Sequence, residues 1–203
     1  MKITKYEHSF LAIEDKKTVL IDPGSYTKGF DISAFEKADY LLITHEHADH
    51  MDIKLIREIT AKFPKVKVMS NESVAEILAK EGIKVSTEGN DDIRIIEAKH
   101  EPILGKAPPN CLFNIFGKIT HPGDSHSFSS TLEILALPIT APWGSMVAAA
   151  QLAVKLKPKI AVPIHDWHLS EEGRKVYYSW LNGYLKEKGI EFRALENAKK
   201  SSF

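Results

Sequence analysis

Residues 44–52 read Thr-His-Glu-His-Ala-Asp-His-Met-Asp and directly follow the apolar run Tyr40-Leu41-Leu42-Ile43. Such a run predicts a buried strand. If the chain stays extended past Ile43, His45 and His47 point to the same side, because side chains two apart share a face. A turn at Ala48 then lets Asp49 and His50 reach a second point nearby. Imidazole nitrogen and carboxylate oxygen are donors that divalent zinc, manganese and iron favour. One short stretch can therefore offer two ligands to each of two metals. A solvated histidine-rich loop is the plainer alternative, but three histidines and an aspartate at the end of an apolar strand favour metal.

Composition narrows the rest. A chain of 203 residues, 43% hydrophobic and 27% charged, suits a soluble globular domain spanning residues 1–203. Its 27 basic residues balance 27 acidic ones, so no overall field draws polyanions or an anionic membrane, which argues against nucleic acid as partner. The single cysteine, Cys111, cannot form an internal disulfide, which fits a reducing cytoplasm. Within Cys111-Leu112-Phe113-Asn114-Ile115-Phe116 it reads as a core residue. No run approaches the ~18 apolar residues of a membrane helix, and the N-terminus lacks a signal-like apolar segment. The expectation is a protein neither secreted nor membrane-spanning.

Strand and helix signals alternate along the chain. Residues 3–13 and 18–21 read as short strands, the latter running into Asp22-Pro23-Gly24, a turn on its own chemistry. Apolar spacing predicts a helix over 53–63, a strand over 66–69, and a helix capped by Ser70 and stopped by Gly82. Strands at 83–85 and 93–98 precede an irregular loop over 101–110. A hairpin over 111–120, a strand at 133–139 and an alanine-rich buried helix at 146–156 follow. The chain closes with a strand at 160–164, a helix at 170–188 and an edge strand at 190–195. This order argues for α/β layers.

The pattern His-x-His-x-Asp-His resembles the signature of the metallo-β-lactamase fold superfamily. Ile-Asp-Pro-Gly, Ala-Asp-Tyr-Leu-Leu-Ile-Thr-His, Pro-Gly-Asp-Ser and Lys-Pro-Lys-Ile-Ala-Val-Pro-Ile-His look most like its small single-domain metal-dependent hydrolases. These are relatives of the ascorbate-6-phosphate lactonases and the N-acyl-phosphatidylethanolamine phospholipase D enzymes. The resemblance implies a four-layer αβ/βα sandwich with a dinuclear metal site at the strand ends. It implies that His45, His47 and His100 hold one ion and Asp49, His50 and His165 the other. Asp124 would be shared between them, and Asp22 would brace the histidine loop. Zinc is the first expectation for both ions, with manganese and iron as alternatives.

Departures from the family pattern also inform. Glu7 stands where this branch tends to have glycine before its early histidine, so no role is carried over to His8. His121 and His126 match no ligand position and are expected in supporting or surface roles. The 40 residues between Asp124 and His165 leave no room for the inserted cap of RNA-processing members. The 38 residues after His165 are too few for the substrate domain of glyoxalase II. The commonest β-lactamases place a cysteine where this chain has Asp124.

Two ions ~3.5–4 Å apart hold water as hydroxide near neutral pH and polarise a carbonyl or phosphoryl oxygen. Asp49 or Asp124 would orient the nucleophile and pass a proton to the leaving group. The expected function is hydrolysis of a small ester, lactone or phosphoester. Loops 101–110 and 140–144, with Lys106 and Trp143, are expected to line the pocket together with His168. The alternatives are a phosphodiesterase or nuclease acting on nucleic acid, and a non-catalytic metal-binding sensor. Neutral charge and the missing cap count against the first, and the full ligand set against the second.

Overall fold

The computed structural model describes residues 1–203. Strands β1 (Lys2–Lys5), β2 (Leu11–Glu14) and β3 (Thr18–Ile21) form an antiparallel meander. Strand β4 (Tyr40–Leu42) pairs parallel to β3 and leads into helix α1 (Ile53–Lys62). Strand β5 (Lys67–Met69), helix α2 (Glu72–Lys80) and strand β6 (Val85–Ser86) extend the same parallel edge.

A second sheet repeats the plan. Strands β7 (Ile93–Glu97), β8 (Cys111–Ile115) and β9 (Ile119–His121) are antiparallel. Strand β10 (Ile134–Pro138), helix α3 (Met146–Leu156), strand β11 (Ile160–Ile164), helix α4 (Glu171–Glu187) and strand β12 (Glu191–Phe192) continue it in parallel. Strand β13 (Ser201–Ser202) then returns to the first sheet beside β1.

Two-residue alternation sorts the side chains into layers. Ile21 and Leu42 pack between the sheets with Phe113, Ile134 and Val162. Their neighbours Leu20 and Leu41 turn outward onto Ile56 and Ile59 of α1. In the second sheet Leu135 and Ala161 turn outward onto Ala153 of α3 and Leu185 of α4. Each fully buried leucine or isoleucine contributes about 1.5–3 kcal/mol, and a one-residue slip would expose a whole face. The result is the expected helix–sheet–sheet–helix sandwich of the metallo-β-lactamase type. No helix is long and apolar enough to cross a membrane.

Several boundaries differ from expectation. Helix α2 is capped by Asn71, whose side chain accepts from the Val74 N–H at 3.0 Å. Ser70 is buried at the end of β5, where its hydroxyl donates to the Ile43 carbonyl at 2.5 Å. That tertiary partner outcompetes capping. The expected strand at 83–85 is reduced to Val85–Ser86, because Ile83 N–H closes α2 by bonding Leu78 O. Only Glu191–Phe192 of the expected edge strand pair with β11.

Because β1 and β3 both oppose β2, they run in the same direction as β4. Strands β7, β9, β10 and β11 share one direction by the same logic. The carboxyl ends of these strands carry the candidate residues, where α/β sheets generally bind ligands.

Candidate metal centre

Asp22 ends β3 and organises the loop after β4. Its Oδ1 accepts from Thr44 N–H at 2.8 Å, and its Oδ2 accepts from the Thr44 hydroxyl at 2.8 Å. The loop then turns, with the His50 and Met51 amides both bonding His47 O at 2.9 Å. Gly24 lies directly beneath: a Cβ there would meet the Asp49 carbonyl oxygen at 1.8 Å. Only glycine lets the two segments touch.

Acceptors fix the tautomers of four rings. Nδ1 of His50 faces Asp22 Oδ2 at 2.7 Å, that of His100 faces Glu101 O at 2.6 Å, and that of His165 faces Thr140 O at 2.7 Å. Carboxylate and carbonyl oxygens only accept, so each Nδ1 carries the proton and each Nε2 presents a lone pair. Thr44 Oγ1 lies 3.0 Å from His45 Nδ1 and has spent its own proton on Asp22, so His45 follows suit.

These lone pairs gather in two sets. Donor atoms of His45, His47, His100 and Asp124 all lie within 4.8 Å of one another, as do those of His8, Asp49, His50 and His165. Asp124 joins the sets. Its Oδ2 lies 3.6 Å from His100 Nε2 and 3.9 Å from His45 Nε2, while its Oδ1 lies 3.0 Å from His50 Nε2 and 3.1 Å from His165 Nε2.

A divalent cation fits this donor set. His50 Nε2, His165 Nε2 and Asp124 Oδ1 are buried and have no polar partner beyond one another. Buried polar atoms without partners are rare and costly; three aimed at one space mark a place for a ligand. Burial and the neighbouring His50 hold the His45 ring well below the ordinary imidazole range, hence neutral. Burial opposes charge on His50, but the Asp124 and Asp22 carboxylates outweigh it and raise that ring well above its usual value, so without a cation a proton occupies Nε2 beside Asp124, the position a metal would take. Burial likewise opposes the Asp124 carboxylate, and His165 with His50 outweigh it, so its pKa falls.

Other expected residues fall around the rim. Trp143 Nε1 donates to Asp124 Oδ2 at 3.1 Å. The His168 ring lies 5.9 Å from that of His165. Lys106 lines a cavity that also takes in His100, Asn71 and Ser73. His121 is fully buried, with Nε2 3.1 Å from Ser9 O, so it has no surface role. His126 Nε2 faces Pro138 O at 3.0 Å.

The residue that local reading set aside is His8. It sits in the turn between β1 and β2 with φ 47°, and its Nε2 lies 3.0 Å from Asp49 Oδ2. Burial lowers its pKa to about 3, so the ring is neutral. The signal for it is topological: in a meander, the end of β1 returns beside the end of β3.

With this geometry in view, comparison with known proteins is direct. The family model described as a Beta-lactamase superfamily domain matches residues 2–165. A UPF0173 metal-dependent hydrolase of Nanoarchaeum equitans is 32% identical over 191 residues, covering 81% of this chain and 83% of its own. A protein of Mycobacterium tuberculosis is 27% identical over 195 residues, covering 89% and 91%. Igni18, a metallo hydrolase of the archaeon Ignicoccus hospitalis, superposes with TM-score 0.74 at 19% identity, over 100% of this chain and 97% of its own. The chain belongs to the metallo-β-lactamase superfamily. Its place there is among the metal-dependent hydrolases.

Proposed function

We propose that the chain is a two-ion hydrolase of small, uncharged carbonyl substrates, with esters and lactones ahead of phosphoesters. Residues 1–203 would work as one unit in the cytoplasm. The observation that carries this reading is Asp124, one oxygen of which faces each histidine set. His45, His47 and His100 would hold one ion, and Asp49, His50 and His165 the other, with His8 orienting Asp49 through its Nε2–H. A donor set richer in imidazole than in carboxylate suits zinc or iron better than manganese, with zinc the first expectation. When bound, such ions activate water and polarise the oxygen of the scissile group.

The chain's own groups do the rest. Burial would raise the Asp49 carboxyl, but the His8 hydrogen bond and the His50 ring pull it below its ordinary range. Asp49 therefore stands ready as an acceptor that orients water and passes its proton to the leaving group. Trp143 steadies Asp124 through its indole N–H.

Two features support an uncharged substrate. No lysine or arginine pairs with any of the eight clustered side chains, whereas anionic phosphate is commonly gripped by an arginine fork. The mouth is aromatic instead: Tyr26 and Trp167 stack at 3.9 Å and 7°, Tyr26 lies 5.2 Å from His8, and Trp143 lies 5.5 Å from His165. A panel of chromogenic lactone, ester, phosphodiester and β-lactam substrates, run beside metal analysis, tests the reading. Two ions per chain with salt-insensitive ester or lactone turnover is the expected result. Turnover confined to phosphodiesters or nucleic acid with steep salt dependence, or none at all with both ions bound, would overturn it.

A further inference from the structure

Behind the second histidine set lies a group of buried charges for which hydrolysis has no direct use. Lys5 Nζ donates to Asp166 Oδ2 at 2.6 Å and to Pro163 O at 3.0 Å, and both side chains are shut off from solvent. Tyr178 of α4 donates to the same Asp166 oxygen. One turn earlier, Arg174 donates to Glu7 Oε1 and, at 3.2 Å, to the Asp166 carbonyl. Glu7 immediately precedes His8, and Asp166 immediately follows His165. Between them the His165 N–H bonds the His8 carbonyl at 3.1 Å.

These contacts meet where the backbone is least comfortable. Glu7, His8 and His165 have φ of 67°, 47° and 60°, a region that residues with a Cβ seldom adopt. Such conformations persist only where their surroundings over-determine them. A buried ion pair adds little net stability, because desolvation offsets attraction; what it adds here is fixed geometry. The first set has no buried Lys or Arg ion pair behind it: His45 leans on Thr44, which Asp22 holds, and His100 on the Glu101 carbonyl.

We propose that the Lys5–Asp166 and Arg174–Glu7 pairs are a brace that positions His8 and His165, and so sets the ion affinity of the second group alone. This rests on the two-ion reading above. Chelator-stripped protein titrated with zinc against a chromogenic competitor resolves two affinities, and His165→Ala identifies the one belonging to the first group. Asp166→Asn, Arg174→Met and Glu7→Gly should each weaken the second affinity by ~10–100-fold and leave the first unchanged. Arg174→Lys should retain more than Arg174→Met.

Glu7→Gly separates positioning from folding, since glycine relieves the positive φ while deleting the contact to Arg174. Metal-free Glu7→Gly should melt near the wild type yet lose second-group affinity. Equal loss at both groups, or none at either, in a folded Glu7→Gly protein overturns the brace. A wild-type protein holding fewer than two ions overturns the two-ion reading itself, and the brace with it.

Discussion

Oδ2 of Asp22 lies 2.7 Å from Nδ1 of His50, and neither side chain reaches solvent. That contact holds the imidazole with Nε2 facing the cluster, while the other carboxylate bonds hold Thr44 and hence the start of the loop. Asp22→Asn removes the charge and can present an N–H where an acceptor is required. A ~10–100-fold loss of metal affinity is expected, read by competitive zinc titration; an affinity equal to wild type would refute the bracing role.

Asp124 faces both sets, whereas His47 belongs to the first alone. Asp124→Ala should therefore strip both ions and abolish hydrolysis, while His47→Ala should retain one ion. Metal content after gel filtration distinguishes the two variants.

Gly24→Ala would drive a methyl into the Asp49 carbonyl. Overpacking against flexible side chains costs about 1–3 kcal/mol, and a backbone neighbour yields less readily. The expected destabilisation is at or beyond the upper end of that range, with activity lost alongside, measured by urea unfolding and by turnover.

Burial opposes the Asp166 carboxylate, but Lys5 and Arg174 outweigh it, so its folded pKa lies below the ordinary value. The stability it contributes is complete above the unfolded value, near ~4. It drains away as pH falls through that value towards the lower folded one. Urea denaturation of metal-free protein should show the gap between wild type and Asp166→Asn narrowing on acidification below about pH 4. A gap that stays constant would sink the argument.

Cys111 is 2% exposed, and burial raises its thiol pKa well above the ordinary range. Since the thiolate is the reactive form, native protein should resist thiol reagents and label only on unfolding. Rapid labelling of folded protein would contradict the burial described.

Much of the architecture could be read locally. His45, His100 and His165 each follow a strand that announces itself by an apolar run, and the alternation at Leu41 and Leu42 already separates outer from inner face. His8 escaped because its neighbours show no ligand spacing; only the β1–β2–β3 meander carries it to the site. Ser70 and Asn71 are both good caps, and the choice between them depends on a distant carbonyl, Ile43 O. Ser201 and Ser202 carry no strand pattern and pair only because β1 leaves an edge open. The Lys5–Asp166 pair joins residues 161 positions apart, a contact with no local signature.

Each donor set takes side chains from both sheets: His45 and His47 with His100 and Asp124, and His8, Asp49 and His50 with His165. The polypeptide crosses from the first sheet to the second through residues 87–92. A cation seated in either set would thus be a rivet between two halves otherwise joined by this connection, the returning tail and the apolar core between the sheets. Severed at that crossing, the fragments should reassociate more readily with zinc than without it, so that an ion bound there would fasten the fold as well.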